Sequence, residues 1–159
     1  MSYDLLIIPN SDDLSIESVS KGLDQIEHGE SYPFGEPTKE LEACAREIWE
    51  HYPPLSELAD DEMDKAIWSC DHDTVDGYMY MTMFLSIETS TLNTIVEIAR
   101  KHGLVVFDPQ LSTFPDTYTE DTMSVKDTES VKQQIEEQLC GFLNDFIKDF
   151  KNNGNTPSE

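Results

Sequence analysis

Residues 78–86 read Tyr-Met-Tyr-Met-Thr-Met-Phe-Leu-Ser, and this stretch decides how the rest of the chain is organised. A period of two places Tyr78, Tyr80, Thr82 and Phe84 on one face and Met79, Met81, Met83 and Leu85 on the other. Both faces are apolar, which predicts a central strand covered at least partly on each side. Immediately upstream, Asp76-Gly77 is a turn dipeptide, and residues 65–70 (KAIWSC) form a second apolar run. Together they predict a hairpin joining 65–72 to 78–86.

Working outward toward the N-terminus, residues 3–9 (YDLLIIP) are a short apolar strand closed by proline. Ser15 is placed to cap a helix with Ile16, Val19, Leu23 and Ile26 on one face and Gly29 as its stop. Residues 31–37, with two prolines and a glycine, are a loop. Thr38 caps a second helix with Leu41, Cys44, Ala45, Ile48 and Trp49 inward, ended by Tyr52-Pro53-Pro54. Downstream, Ser90 caps a third helix over 91–102, Gly103 sits at its C′ position, and 104–107 is a last strand. Residues 110–126 are polar and predict an exposed connection. Over 127–151, Val131, Ile135, Leu139, Phe142, Leu143, Phe146, Ile147 and Phe150 give an amphipathic helix.

If the first two helices act jointly as one crossover, the order is βαββαβ with an extra C-terminal helix. The expectation is one α+β domain over 1–151 with a mostly antiparallel four-stranded sheet, helices packed on it in a ferredoxin-like outline, and a flexible tail at 152–159.

Charge bounds the function more tightly than any motif. The chain carries 33 acidic and 10 basic side chains in 159 residues, a formal net charge of −23. Residues 1–64 hold 17 of the acids against 3 basic residues. Such a field repels nucleic acid and anionic membrane and speeds encounter with a basic partner. The sequence starts without the basic and apolar segments of a signal peptide, which predicts a cytoplasmic protein. Cys44, Cys70 and Cys140 are widely spaced, with no zinc-type pairing, and read as buried reduced thiols.

Candidate chemistry is thin. Asp71, Asp73 and Asp76 before Gly77 invite a calcium-loop reading, but the third aspartate comes one residue late and Thr82 stands where the loop needs glutamate. Turn chemistry accounts for the same residues. His28, His51 and His102 fall at helix C-termini, where an imidazolium complements the dipole. No nucleophile has a neighbouring base, and no phosphate-binding glycine motif occurs. Trp49, Trp68, Tyr78, Tyr80 and the methionines are expected in the core. No catalytic residue, metal or cofactor is expected. The residues assigned to partner binding are Glu57, Asp60, Asp61, Glu62 and Asp64, with Asp71, Asp73 and Asp76 at the hairpin tip.

Two segments carry a resemblance. Met1-Ser2-Tyr3-Asp4-Leu5 and residues 99–110 (ARKHGLVVFDPQ) resemble the MSYDL-like start and KHGL-x-x-[FY]-DPQ-like segment of a group of small bacterial cytoplasmic proteins. The likeness covers roughly residues 1–112 and leaves out the C-terminal helix. It implies an immunity protein of a polymorphic-toxin system, one that binds a basic toxin domain of nuclease type without catalysis. The competing expectations are a small-molecule or regulatory binding module, a metal-dependent hydrolase, and an acidic domain of a salt-adapted organism.

Overall fold

The computed structural model describes residues 2–121; the expected helix at 127–151 and the tail lie outside the described residues. The chain divides into two units, Met1–Tyr118 and Thr119–Glu159, and the sheet with its helices belongs to the first.

Leu5, Leu6, Ile7 and Ile8 are all fully buried, which is possible for consecutive strand residues only if both faces of the strand are covered. They belong to β1 (Ser2–Pro9), the middle strand of a three-stranded antiparallel sheet. β2 (Met79–Phe84) pairs on one side, with Leu5 opposite Met81, and β3 (Leu104–Phe107) on the other, with Leu6 opposite Phe107. The α+β class therefore stands. The centre of the sheet is β1, however, and β2 flanks it, contrary to the reading of 78–86 as the central strand.

The expected strand at 65–70 contracts to a single bridge between Trp68 and Met83. Lys65 instead ends a 3-10 turn, Asp60–Lys65, and Trp68 is fully buried at that bridge. That bridge covers part of the outer edge of β2; of the strand's two faces the one with Met79, Met81 and Met83 is buried, while Tyr80 and Thr82 are half-buried and Phe84 is exposed.

The first two helices are capped as their sequences require, and the third is not. α1 (Ile16–Glu27) starts at a capping box between Ser15 and Ser18. α2 (Lys39–His51) starts with the Thr38 hydroxyl accepting from the Leu41 amide. α3 (Thr89–Lys101) begins earlier than expected, with Glu88 at its N-cap, and Ser90 is inside it. The positive φ of Gly103 closes α3 before β3. Val19 of α1 packs with Leu6, Ile8 and Phe107. Alternation sends Leu5, Ile7, Met79, Met81 and Met83 to the other face, and α2 and α3 pack against each other and against β1 and β3. The first two helices thus part company rather than forming one crossover layer.

Candidate partner-binding surface

The acidic segments at 57–64 and 71–76 are separated by residues 65–70, which carry Trp68, the centre of an aromatic clamp. Pro53 and Pro54 stop α2 and lead into two short 3-10 turns, Leu55–Glu57 and Asp60–Lys65. Trp68 is fully buried, and its indole N–H donates to the Tyr52 carbonyl at 2.9 Å. The His72 ring stands edge-on to Trp68 with centroids 4.5 Å apart, and Trp49 Nε1–H reaches His72 Nε2 at 3.4 Å. Burial holds the His72 pKa below its usual value, and a ring that accepts from Trp49 at Nε2 is the neutral one. Beside it, Asp71 Oδ1 accepts the Leu55 amide at 2.8 Å. This bond brings the start of the second acidic segment onto the turn that carries Glu57.

All eight assigned carboxylates are exposed. Glu57 lies in the first 3-10 turn; Asp60, Asp61, Glu62 and Asp64 line the second. Asp73 Oδ1 accepts the Val75 amide at 3.1 Å, an Asx turn that shapes the loop before Gly77. Among the described residues none of the eight forms an ion pair: the pairs observed are Arg100–Asp116, Lys101–Glu47 and His102–Glu47, all elsewhere. Lys65 is the single lysine or arginine between 57 and 76. No hydrogen bond links Asp73 or Asp76 to the 57–64 turns among the described residues, so only Asp71 is bonded across.

Apolar side chains break this acidic surface. Met63, Val75, Phe84 and Leu85 are 44–63% exposed. Phe84 lies against the acidic segment, its amide donating to the Ile67 carbonyl at 2.9 Å. A cleft of about 310 Å³ there is lined by Asp64, Ile67, Phe84, Ile87, Glu88 and Thr91, among others. Sequence reasoning missed Phe84 and Glu88 as site residues. The available signal was the phase of Phe84, which continues the half-polar face of Tyr80 and Thr82 rather than the buried methionine face.

Other polar clusters are accounted for structurally. The two halves of the resemblance interlock. Tyr3 and Tyr118 hydroxyls donate to Asp108 Oδ2 at 2.6 and 2.7 Å, and Gln110 Nε2 and the Leu111 amide donate to Oδ1 at 3.1 Å. Gln110 also exchanges two bonds with the Asp4 backbone, at 2.6 and 2.8 Å. Asp108 is fully buried, and burial raises its pKa. This clamp ties the end of β3 to the start of β1 and buries Tyr118, while the rest of 110–121 is half-buried or exposed and 122–126 lie outside the described residues. The histidines sit as expected: His28 and His51 meet carbonyls of their own last turns, at 2.7 and 2.9 Å through Nδ1, and His102 caps α3 while meeting Glu47 at 2.6 Å. Hydrogen bonds from Lys101 and His102 lower the Glu47 pKa. Cys44 is buried, its thiol pushed up to about 12 by desolvation, whereas Cys70 is exposed, against expectation.

Among the described residues no group of three or more His, Cys, Asp or Glu is arranged to hold a metal ion, and no helix is long and apolar enough to cross a membrane. Comparison with family models, curated proteins and solved structures finds no match to the chain.

Proposed function

We propose that the chain is a non-enzymatic, immunity-like protein that binds a basic toxin domain of nuclease type and occludes its cleft. The observation that carries this reading is the set of eight exposed carboxylates, unpaired among the described residues and interleaved with exposed apolar side chains. Unpaired carboxylates act at long range, over a Debye length of about 10 Å at 0.1 M salt, and guide a basic partner into register. Each exposed ion pair then adds only about 0.2–1 kcal/mol, so charge governs rate and specificity more than final affinity. Affinity comes from anchors: covering the exposed half of a side chain such as Phe84 contributes on the order of 1 kcal/mol. The site lies in a cytoplasmic protein on this reading. We extend it to the fold as well, taking 67–69 as the remnant of a fourth strand. Bonds of 2.9 Å from Ser69 N–H to Thr82 O and from Phe84 N–H to Ile67 O support the order 67–69, β2, β1, β3, a ferredoxin-like outline.

The test is capture from native lysate by three tagged proteins: the natural chain, a variant with the eight carboxylates changed to amides, and an equally neutralised control altered at eight exposed acids between residues 12 and 50. A stoichiometric basic protein held by the first and third and lost from the second is the expected result. Equal retention by all three, or an empty eluate from the natural chain, would refute the assignment.

A further inference from the structure

Resting on the reading of the acidic face as a binding surface, we infer that the cleft between residues 64–67 and the start of α3 is a socket for one arginine side chain of the partner. Four of the clefts formed by described residues differ in how their charges are balanced. The cleft beside Pro53 and Leu58 contains both Glu62 and Lys65. The one between α2 and α3 holds Glu47 and Glu50 against Arg46 and Lys101. The one beneath Phe114 pairs Asp116 with Arg100. Of these four, only the cleft lined by Asp64 and Glu88 has carboxylates and no basic residue in its wall.

Its shape narrows the occupant further. At about 310 Å³ it stands at the floor of the range of about 300–1,000 Å³ typical of small-molecule sites, which suits one long side chain. Ile67, Phe84 and Ile87 give it one apolar side within a lining that is otherwise mostly polar, with Ser86 and Thr91, and Asp64 and Glu88 are exposed at its surface. Glu88 occupies the N-cap position of α3 without making a side-chain cap, and its one side-chain bond among the described residues is from the Ser90 hydroxyl at 3.4 Å. Both carboxylates thus remain available to a donor.

An apolar side beside exposed acid matches a side chain with a methylene stem and a cationic head. Arginine fits better than lysine for two reasons. A planar guanidinium can stack on the half-exposed Phe84 ring, and its five donors can serve two carboxylates at once. Lysine offers a compact, more strongly hydrated charge that gains less from the ring.

The test uses the full chain, isotopically labelled, titrated with the peptide acetyl-Gly-Arg-Gly-amide and followed by amide and methyl chemical shifts. Saturable shifts confined to Ile67, Phe84, Ile87 and their neighbours are expected, with millimolar affinity. The citrulline peptide should bind at least tenfold more weakly, and the lysine peptide several-fold more weakly. Asp64→Asn with Glu88→Gln, and separately Phe84→Ser, should each weaken binding at least threefold while leaving the remaining spectrum intact. Shifts spread evenly along 57–76, or arginine and citrulline peptides binding alike, would overturn the socket. The lysate capture can succeed while this titration fails, so the two assignments fall separately.

Discussion

Replacing Gly77 by alanine probes the loop that positions Asp71, Asp73 and Asp76. Gly77 has φ +83°, and an alanine Cβ there would run into the Gly35 carbonyl oxygen and lie 3.0 Å from its carbon. The atoms in the way are backbone, so they cannot rotate aside. Left-handed φ costs a residue with a Cβ roughly 1–2 kcal/mol. Forcing an atom into packed surroundings adds roughly 1–3 kcal/mol. The sum is about 3 kcal/mol for Gly77→Ala. Gly29 and Gly103 supply the control: their φ values are +73° and +72°, with nothing within 4 Å of the added Cβ. Gly29→Ala and Gly103→Ala should therefore cost only about 1 kcal/mol. In urea, with a slope of about 2 kcal/mol/M, the midpoint of Gly77→Ala should fall about 1.5 M, against about 0.5 M for each control. Midpoints for all three variants agreeing within about 0.3 M would refute the contact between the 32–36 and 74–77 loops, at the precision of such measurements.

The same geometry sets three further outcomes. Burial lowers the His72 pKa below its ordinary 6.5, so its neutral form belongs to the folded state. Its contribution is present above the unfolded value and lost as pH falls through 6.5 toward the folded value; urea unfolding of His72→Phe should show a flatter loss between pH 7.5 and 5 than the natural chain, and identical slopes would contradict this. Tyr3→Phe removes a 2.6 Å donor from the buried Asp108 carboxylate and should cost about 1.5–3 kcal/mol by urea denaturation, a change under about 0.5 kcal/mol contradicting it. The buried Cys44 thiol, pushed up to about 12, should resist a thiol-disulfide reagent at pH 8 that modifies exposed Cys70 within minutes; peptide mass spectrometry showing equal labelling would disprove the difference.

Much of the fold can be read locally. Ser15 and Thr38 cap their helices because each precedes an apolar stripe and each hydroxyl finds an amide three residues on. His28 and His51 at helix ends are legible for the same reason, since their ring partners are carbonyls of their own last turn, whereas the bond from His102 to Glu47 joins α3 to α2 and has no local signal. What misleads is apolarity that arises from tertiary packing. Trp68 makes KAIWSC look like a strand, yet its burial serves the clamp with Tyr52 and His72. The two apolar faces of 78–86 suggested a centre that four fully buried residues of β1 occupy instead. At the site, the positions of the acids were visible, but the bond from Leu55 to Asp71 and the meeting of Asp64 with Phe84 and Glu88 depend on chain segments 16 to 24 residues apart. Local pattern carries no signal for such pairings.

The claim that the acidic face captures a basic partner is tested most directly by the association rate of the captured protein, measured by stopped flow from 25 to 500 mM salt. The account predicts a rate constant that falls at least about tenfold over this range, with the eight-carboxylate variant slow and nearly flat throughout. A rate constant independent of salt, or a salt dependence unchanged in that variant, would contradict it.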